Sequence, residues 1–305
     1  MTRSPVRPVD LARLKPELDR LYGQYNRAAG VADPIEMARR YPDPADREVA
    51  GFCAAALAFG RVASVLQSVE RLLAIMQPSP AAFLSRFDPA RDRRLFAPLG
   101  HRWARGEDLA ALLWILKRMV AAHGSIEAFF LDHDDPGEVD VGRSIDAFSA
   151  AALRVDLRPV YGAVPRCPGV RFFFPRPSAG SACKRLNLFL RWMVRDDGVD
   201  FGLWKRVSAS RLIVPLDTHI IRLGRCLRLT GYTSPGWPMA AEITASLRLL
   251  DPNDPVKYDF ALCHLGMMDA CGFRRPYRDE RCPLRGFCRP AGRRGRASRR
   301  PSGRR

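Results

Sequence analysis

Alternating strand patterns are almost absent from this chain of 305 residues, which excludes a sheet-built core and leaves helices to form it. No apolar run approaches the length of a membrane-spanning helix, so no membrane partner is expected. The segment Met1 to Asp10 is polar and lacks the apolar centre of an export signal, so a cytoplasmic location is expected. Without export, the eight cysteines do not read as a disulfide framework and are either buried thiols or metal ligands. No internal repeat is present. Acidic residues are also in short supply: 32 Asp and Glu stand against 50 Lys and Arg, for a net charge of +18.

What is present is helical periodicity nearly throughout. Leu11-Leu14-Leu18-Leu21 and Val62-Val65-Leu66-Val69-Leu72-Leu73 recur at helical spacing. Segments 109–120, 145–153, 182–194, 219–229, 241–250 and 256–268 continue the pattern. Only Gly169 to Phe174 reads as extended, with Pro175 stopping it. Proline and glycine cluster over 158–180 and separate an N-terminal helical part from a second one. From residue 289 to 305 only Arg, Gly, Ser, Pro and Ala occur, and this Arg-rich tail is expected to be disordered.

The basic excess bears on partners. Eight arginines lie in the tail, so the remainder still carries about +10. Arginine far outnumbers lysine, and a coding bias toward arginine explains part of the excess. A basic body still suits a polyanion, of which nucleic acid is the usual one.

The most informative segment is Leu212-Ile213-Val214-Pro215-Leu216-Asp217-Thr218-His219-Ile220-Ile221-Arg222-Leu223, an apolar run ending in Asp-Thr-His at the mouth of an amphipathic helix. Backbone N–H groups and the helix dipole favour a charged carboxylate there, and Asp217 also serves simply as a cap. The segment resembles the helix-hairpin-helix (HhH-GPD) DNA glycosylases, in which such a stretch carries the essential aspartate. That resemblance implies a carboxylate stabilising positive charge on a sugar as a nucleobase leaves.

An enzyme of that kind that also cuts the strand needs an amine to form a Schiff base with the sugar aldehyde. Lys184, in Pro177-Ser178-Ala179-Gly180-Ser181-Ala182-Cys183-Lys184-Arg185-Leu186, is the candidate, with Lys205 and Lys257 as alternatives. Its position matches the lysine hairpin of those glycosylases, although their Leu-Pro-Gly-x-Gly sequence is absent. The 33-residue separation from Lys184 to Asp217 is closest to the archaeal 8-oxoguanine glycosylase branch. Small residues such as Gly180 let a DNA backbone approach, and Arg185 and Arg222 are candidates to track phosphates. Phe52 to Val62 is similar in placement to the early glycosylase helix that enters DNA, where Phe59 or Arg61 would fill the gap left by an extruded nucleotide.

Over most of its length the chain resembles a bacterial family of unknown function, domain of unknown function 2400. The residues that carry this are Gly180 to Arg195, Pro215-Leu216-Asp217-Thr218-His219, and Asp254-Pro255-Val256-Lys257-Tyr258-Asp259-Phe260-Ala261-Leu262.

Four cysteines, Cys263, Cys271, Cys282 and Cys288, follow one another with gaps of seven, ten and five residues. Endonuclease III and MutY-type glycosylases end in a four-cysteine loop, and the final gap fits that loop while the short gap does not. The resemblance implies a [4Fe–4S] cluster; thiolates equally suit zinc, and His264 lies close enough to substitute. The other reading of these residues has Cys263 as a buried helix thiol and the remaining three free. Cys53, Cys167, Cys183 and Cys226 read as packing residues.

The expected protein is all-α, with two helical lobes over 1–288, a lobe boundary near 158–180, a cysteine-containing loop at 263–288, and a DNA groove between the lobes. The expected function is base-excision repair by a monomeric DNA glycosylase, with AP lyase activity through Lys184, acting on double-stranded DNA. The competing readings are a non-catalytic nucleic-acid-binding protein on the same scaffold and an RNA- or nucleotide-directed enzyme using the same pair.

Overall fold

The computed structural model describes residues 8–27, 33–267 and 282–288. The fold is all-α and many-helical. Its first half comprises α1 (Pro8–Tyr25), α2 (Ile35–Arg39), α3 (Pro44–Ala56), α4 (Val62–Ile75), α5 (Pro80–Arg86), α6 (Pro89–Phe96), α7 (Gly106–His123), α8 (Ile126–Leu131) and α9 (Gly142–Ala152). After the four-residue α10 (Arg158–Tyr161) come α11 (Lys184–Val194), α12 (Thr218–Cys226), α13 (Trp237–Arg248), α14 (Asp259–Met267) and α15 (Arg285–Cys288). The sheet content among the described residues is one hairpin, β1 (Gly100–His101) paired antiparallel with β2 (Ala104–Arg105). No helix among the described residues is long and apolar enough to cross a membrane. The tail at 289–305 lies outside the described residues.

Helix starts follow the local chemistry. Asp43 caps α3, accepting from the Ala45 and Asp46 N–H groups, and Pro44 occupies the first turn where no N–H is needed. Asp88 and Ser79 do the same ahead of Pro89 and Pro80. From Val49 to Ala56, α3 is buried on every side, because its small residues admit neighbours closely: a Cβ on Gly51 would lie 2.8 Å from Met193 Cε. α11 packs there, and α1 lays its Leu11-Leu14-Leu18-Leu21 stripe toward α14. The two ends of the described chain thus close on each other, fastened where the Tyr258 hydroxyl donates to Asp19 at 2.7 Å.

The extended reading of 169–174 is corrected. Gly169–Phe173 is a short 3-10 helix. Its three-residue period places Val170 and Phe173 together in the core, whereas strand alternation would have put them on opposite faces. Gly169 is required there, since a Cβ would sit 2.4 Å from the Asp108 carboxylate.

A second layer of stabilisation is ionic and buried. In α11, Arg191 donates to Asp259 at 2.6 Å and to Asp200 at 3.2 Å, with side-chain exposures of at most 4 %. Arg195 contacts Asp200, Asp197 (2.8 Å) and Asp254 (3.0 Å). A buried charge is tolerable only with partners of this quality, so α11, the 196–200 turn and α14 are held in one arrangement.

Candidate functional site

The buried run Leu212 to Leu216 delivers Asp217 to the start of α12, with the Val214 N–H fixed to the Thr244 hydroxyl at 3.0 Å. Asp217 is the N-cap: its Oδ1 accepts from the His219 and Ile220 N–H groups at 2.8 and 2.7 Å. Its Oδ2 accepts from the Cys263 thiol at 3.1 Å, across the packing of α12 on α14. Behind it stands Asp259, pushed up to about 6 by burial, with Arg191 opposing and the Asp217 charge adding to the rise. His219 packs on the α14 backbone, where a Cβ on Gly266 would lie 2.6 Å from its Nδ1. Asp217 is half-buried and therefore reachable from solvent. As a cap it has a measurable worth: Asp217→Ala is expected to destabilise the fold by about 1 kcal/mol, and Asp217→Asn by much less, in urea unfolding. Equal losses in the two variants would contradict the capping role.

Lys184 opens α11, following Cys183 in the left-handed region at φ +49°. Its amine is half-buried and donates to the Ala58 carbonyl at 2.9 Å, at the turn after α3. Among the described residues no hydrogen bond or ion pair joins Lys184 to Asp217. It is Arg191, seven residues further along α11 and about 10 Å away at the helical rise, that reaches the neighbourhood of Asp217 through Asp259. Lys205 pairs with Asp196 at 2.7 Å, and Lys257 with Asp251 at 3.4 Å and Asp19 at 3.5 Å.

The residues expected to meet a phosphate backbone divide. Arg61 is exposed as the residue before α4, Arg222 is exposed on α12, and Gly180 is exposed at φ +80°. Arg185 is not a surface cation. It is 8 % exposed, lies 3.6 Å over the Phe172 ring, and donates to the carbonyls of Phe172 and Ala56. Burial pushes its guanidinium down to about 9. Successive helical residues point about 100° apart, so Lys184 faces outward while Arg185 faces in.

The metal expectation is overturned. Among the described residues no three His, Cys, Asp or Glu side chains cluster so as to hold a metal ion. Cys263 lies inside α14, and its thiol is raised well above the ordinary range by burial first and by Asp217 next. That environment keeps the proton on sulfur, whereas a metal ligand is a thiolate. Cys282 is buried, and Cys271 and the Cys288 side chain lie outside the described residues. His264 packs its ring 4.7 Å from Phe260. Neither a [4Fe–4S] cluster nor zinc is retained. Of the cysteines read as packing residues, Cys53 and Cys183 are buried, and Cys167 is exposed.

Sequence reasoning missed the hairpin that flanks the Lys184 contact. His101 is buried; its Nε2–H donates to the Phe59 carbonyl at 2.7 Å, and its Nδ1 meets the Ser68 hydroxyl at 2.9 Å. This anchors the loop residues Arg102 and Trp103 beside the 58–61 corner. Trp103 is 53 % exposed and stacks on Phe59 with ring centroids 4.9 Å apart. The signal was available as a tryptophan between arginines, His101-Arg102-Trp103-Ala104-Arg105.

Compared with known families, residues 33–268 match the model described as Protein of unknown function (DUF2400). That is most of the chain, and the protein belongs to this family. No curated protein and no solved structure matches the chain.

Proposed function

We propose that this member of the DUF2400 family is a DNA-binding protein whose contact face is the corner where Lys184 meets Ala58. The observation that carries the reading is the convergence there of an amine, exposed arginine and stacked aromatics. The Lys184 amine binds the Ala58 carbonyl, Arg61 is exposed three residues later, and Trp103 stacks on Phe59 between them. The face is assembled from both sides of the 158–180 stretch, which supports two lobes meeting at a DNA groove. The protein acts as a monomer on double-stranded DNA in the cytoplasm, and its basic body supplies sequence-independent attraction.

In a duplex titration, affinity is expected to fall steeply with salt and to drop about 5-fold or more on Lys184→Ala combined with Arg61→Ala. Salt-independent binding, or a double variant that binds as well as the wild type, would remove this face from the proposal.

A second reading is favoured by two specific placements. Lys184 sits half-buried at the proposed face, and Asp217 presents a half-buried carboxylate backed by Asp259. These are the groups a base-excision glycosylase with AP lyase activity would use, the amine as Schiff-base nucleophile and the carboxylate as charge stabiliser. Borohydride added to the protein with duplexes carrying 8-oxoguanine, uracil, an oxidised pyrimidine or an abasic site is expected to trap an adduct that Lys184→Ala abolishes. Tight binding without an adduct on any of the four leaves the non-catalytic binding protein.

A further inference from the structure

The hairpin tip at Arg102-Trp103 combines a strained backbone position with an exposed aromatic ring. It is a two-residue loop between the His101–Ala104 pair, and its first position, Arg102, has φ +56°. Two-residue hairpins usually give such a position to glycine, because a side chain there costs about 1–2 kcal/mol. The residue after it is a tryptophan left 53 % exposed. The ring nevertheless has a fixed posture. It lies nearly parallel to Phe59, at 29° and 4.9 Å, and meets Phe172 edge-on at 4.8 Å. Phe172 in turn carries the Arg185 guanidinium, 3.6 Å from its ring centroid. The tip seats tightly on the 58–61 corner: a Cβ on Gly60, itself at φ +100°, would lie 3.1 Å from the Arg102 side chain.

An oriented aromatic surface of this kind needs a planar occupant, and the charge around it says which. The Arg102 guanidinium lies 5.6 Å over the Trp103 ring, and Arg61 and Lys184 stand within one or two residues of Phe59 or its contacts. A flat apolar group with an anion attached on either side fits this arrangement. We infer that Trp103 is a stacking platform for an unpaired base of DNA, with Arg61 and Arg102 taking the phosphates that flank it. The proposal rests on the DNA-binding reading above and deepens it. Base–aromatic stacking tolerates any base, so the platform selects unpaired nucleotides and not a sequence. Regular duplex, whose bases are already stacked, gains less from it.

The test compares three ligands of one sequence: a paired duplex, the same duplex with one unpaired 2-aminopurine, and single-stranded RNA. With wild-type protein the 2-aminopurine emission is expected to be quenched on binding, as stacking on tryptophan requires. Trp103→Ala should remove the quench and weaken binding of the unpaired-base duplex about 5- to 150-fold. Its loss of affinity for the paired duplex should be clearly smaller, since those bases already stack on one another. Trp103→Phe should keep most of the affinity, and melting curves of the variants check the fold. Full retention of quench and affinity in Trp103→Ala would overturn the platform while leaving DNA binding in place. Failure of the wild type to bind any of the three would overturn both. RNA binding that is tighter than DNA binding, and lost in Trp103→Ala, would overturn the assignment to DNA.

Discussion

Arg191→Ala is expected to lower the unfolding free energy by about 3–5 kcal/mol, a large share of the ~5–15 kcal/mol that holds a domain together. The side chain is 3 % exposed and bonds two carboxylates that are buried as deeply as itself. Deleting it strands Asp259 and leaves Asp200 to Arg195 alone, both carboxyls being already pushed up to about 6 by burial against the pull of Arg191. The loss should depend on pH in a definite direction. A carboxyl raised in the folded state binds its proton more tightly there than in the unfolded chain, so its contribution is fully present below the unfolded value and is lost as pH rises. Removing the arginine raises both groups further, so the deficit should be smaller at pH 5 than at pH 8. Urea midpoints of the wild type and the variant at the two pH values measure this. A deficit below about 1 kcal/mol at both would mean that the network is ornamental.

Glu48→Ala is expected to cost about 3–5 kcal/mol, for a different reason. Glu48 lies in α3 yet serves α8: its carboxylate accepts from the Ile126 and Glu127 N–H groups at 3.0 and 2.9 Å and from the Trp204 indole at 2.8 Å. Alanine leaves three inward-facing donors without an acceptor, and each costs about 1–3 kcal/mol to bury unsatisfied. Glu48→Gln should be milder, since one carbonyl oxygen survives. Burial, resisted by those three donors, raises the Glu48 carboxyl above its usual range. The wild type therefore loses part of its advantage as pH rises through that raised value, and glutamine does not titrate. The gap between wild type and Glu48→Gln should narrow from acid to alkaline pH, read in the same urea series. A gap that widens with pH would show that the carboxylate, not the carboxyl, is the form the site prefers.

Local chemistry made much of this fold readable beforehand. Asp43-Pro44 and Asp217-Thr218 announce helix starts in two letters, and both aspartates do cap. The leucine spacing of α1 and the Val65-Val69-Leu72-Leu73 spacing of α4 mark faces that are buried, while Val62 at the start of α4 is exposed. What escaped has a physical cause in each case. Gly169–Phe173 was misread because three adjacent aromatics suit either a strand or a tight 3-10 turn, and the Asp108 contact that decides lies 61 residues away. The hairpin at 100–105 was missed because strands of two residues are too short to alternate. Arg185 was read as a surface cation because adjacent charges look alike in a sequence, while the helix turns one outward and the next into the core. Arg191 and Asp259 are 68 positions apart and nothing local links them. The basic composition suits a polyanion in general and singles out no surface.

α11 carries Lys184 at its first residue, where the amine grips the Ala58 carbonyl, and Arg191 near its last turn, bonded to Asp259. A helix clamped at both ends is a strut, and a strut is also a ruler. The span between the two ends is about 10 Å and cannot be shortened by rotating a side chain. A load placed on the Ala58 corner is therefore carried along α11 to the buried carboxylates at its far end, and the two places move as one piece or not at all.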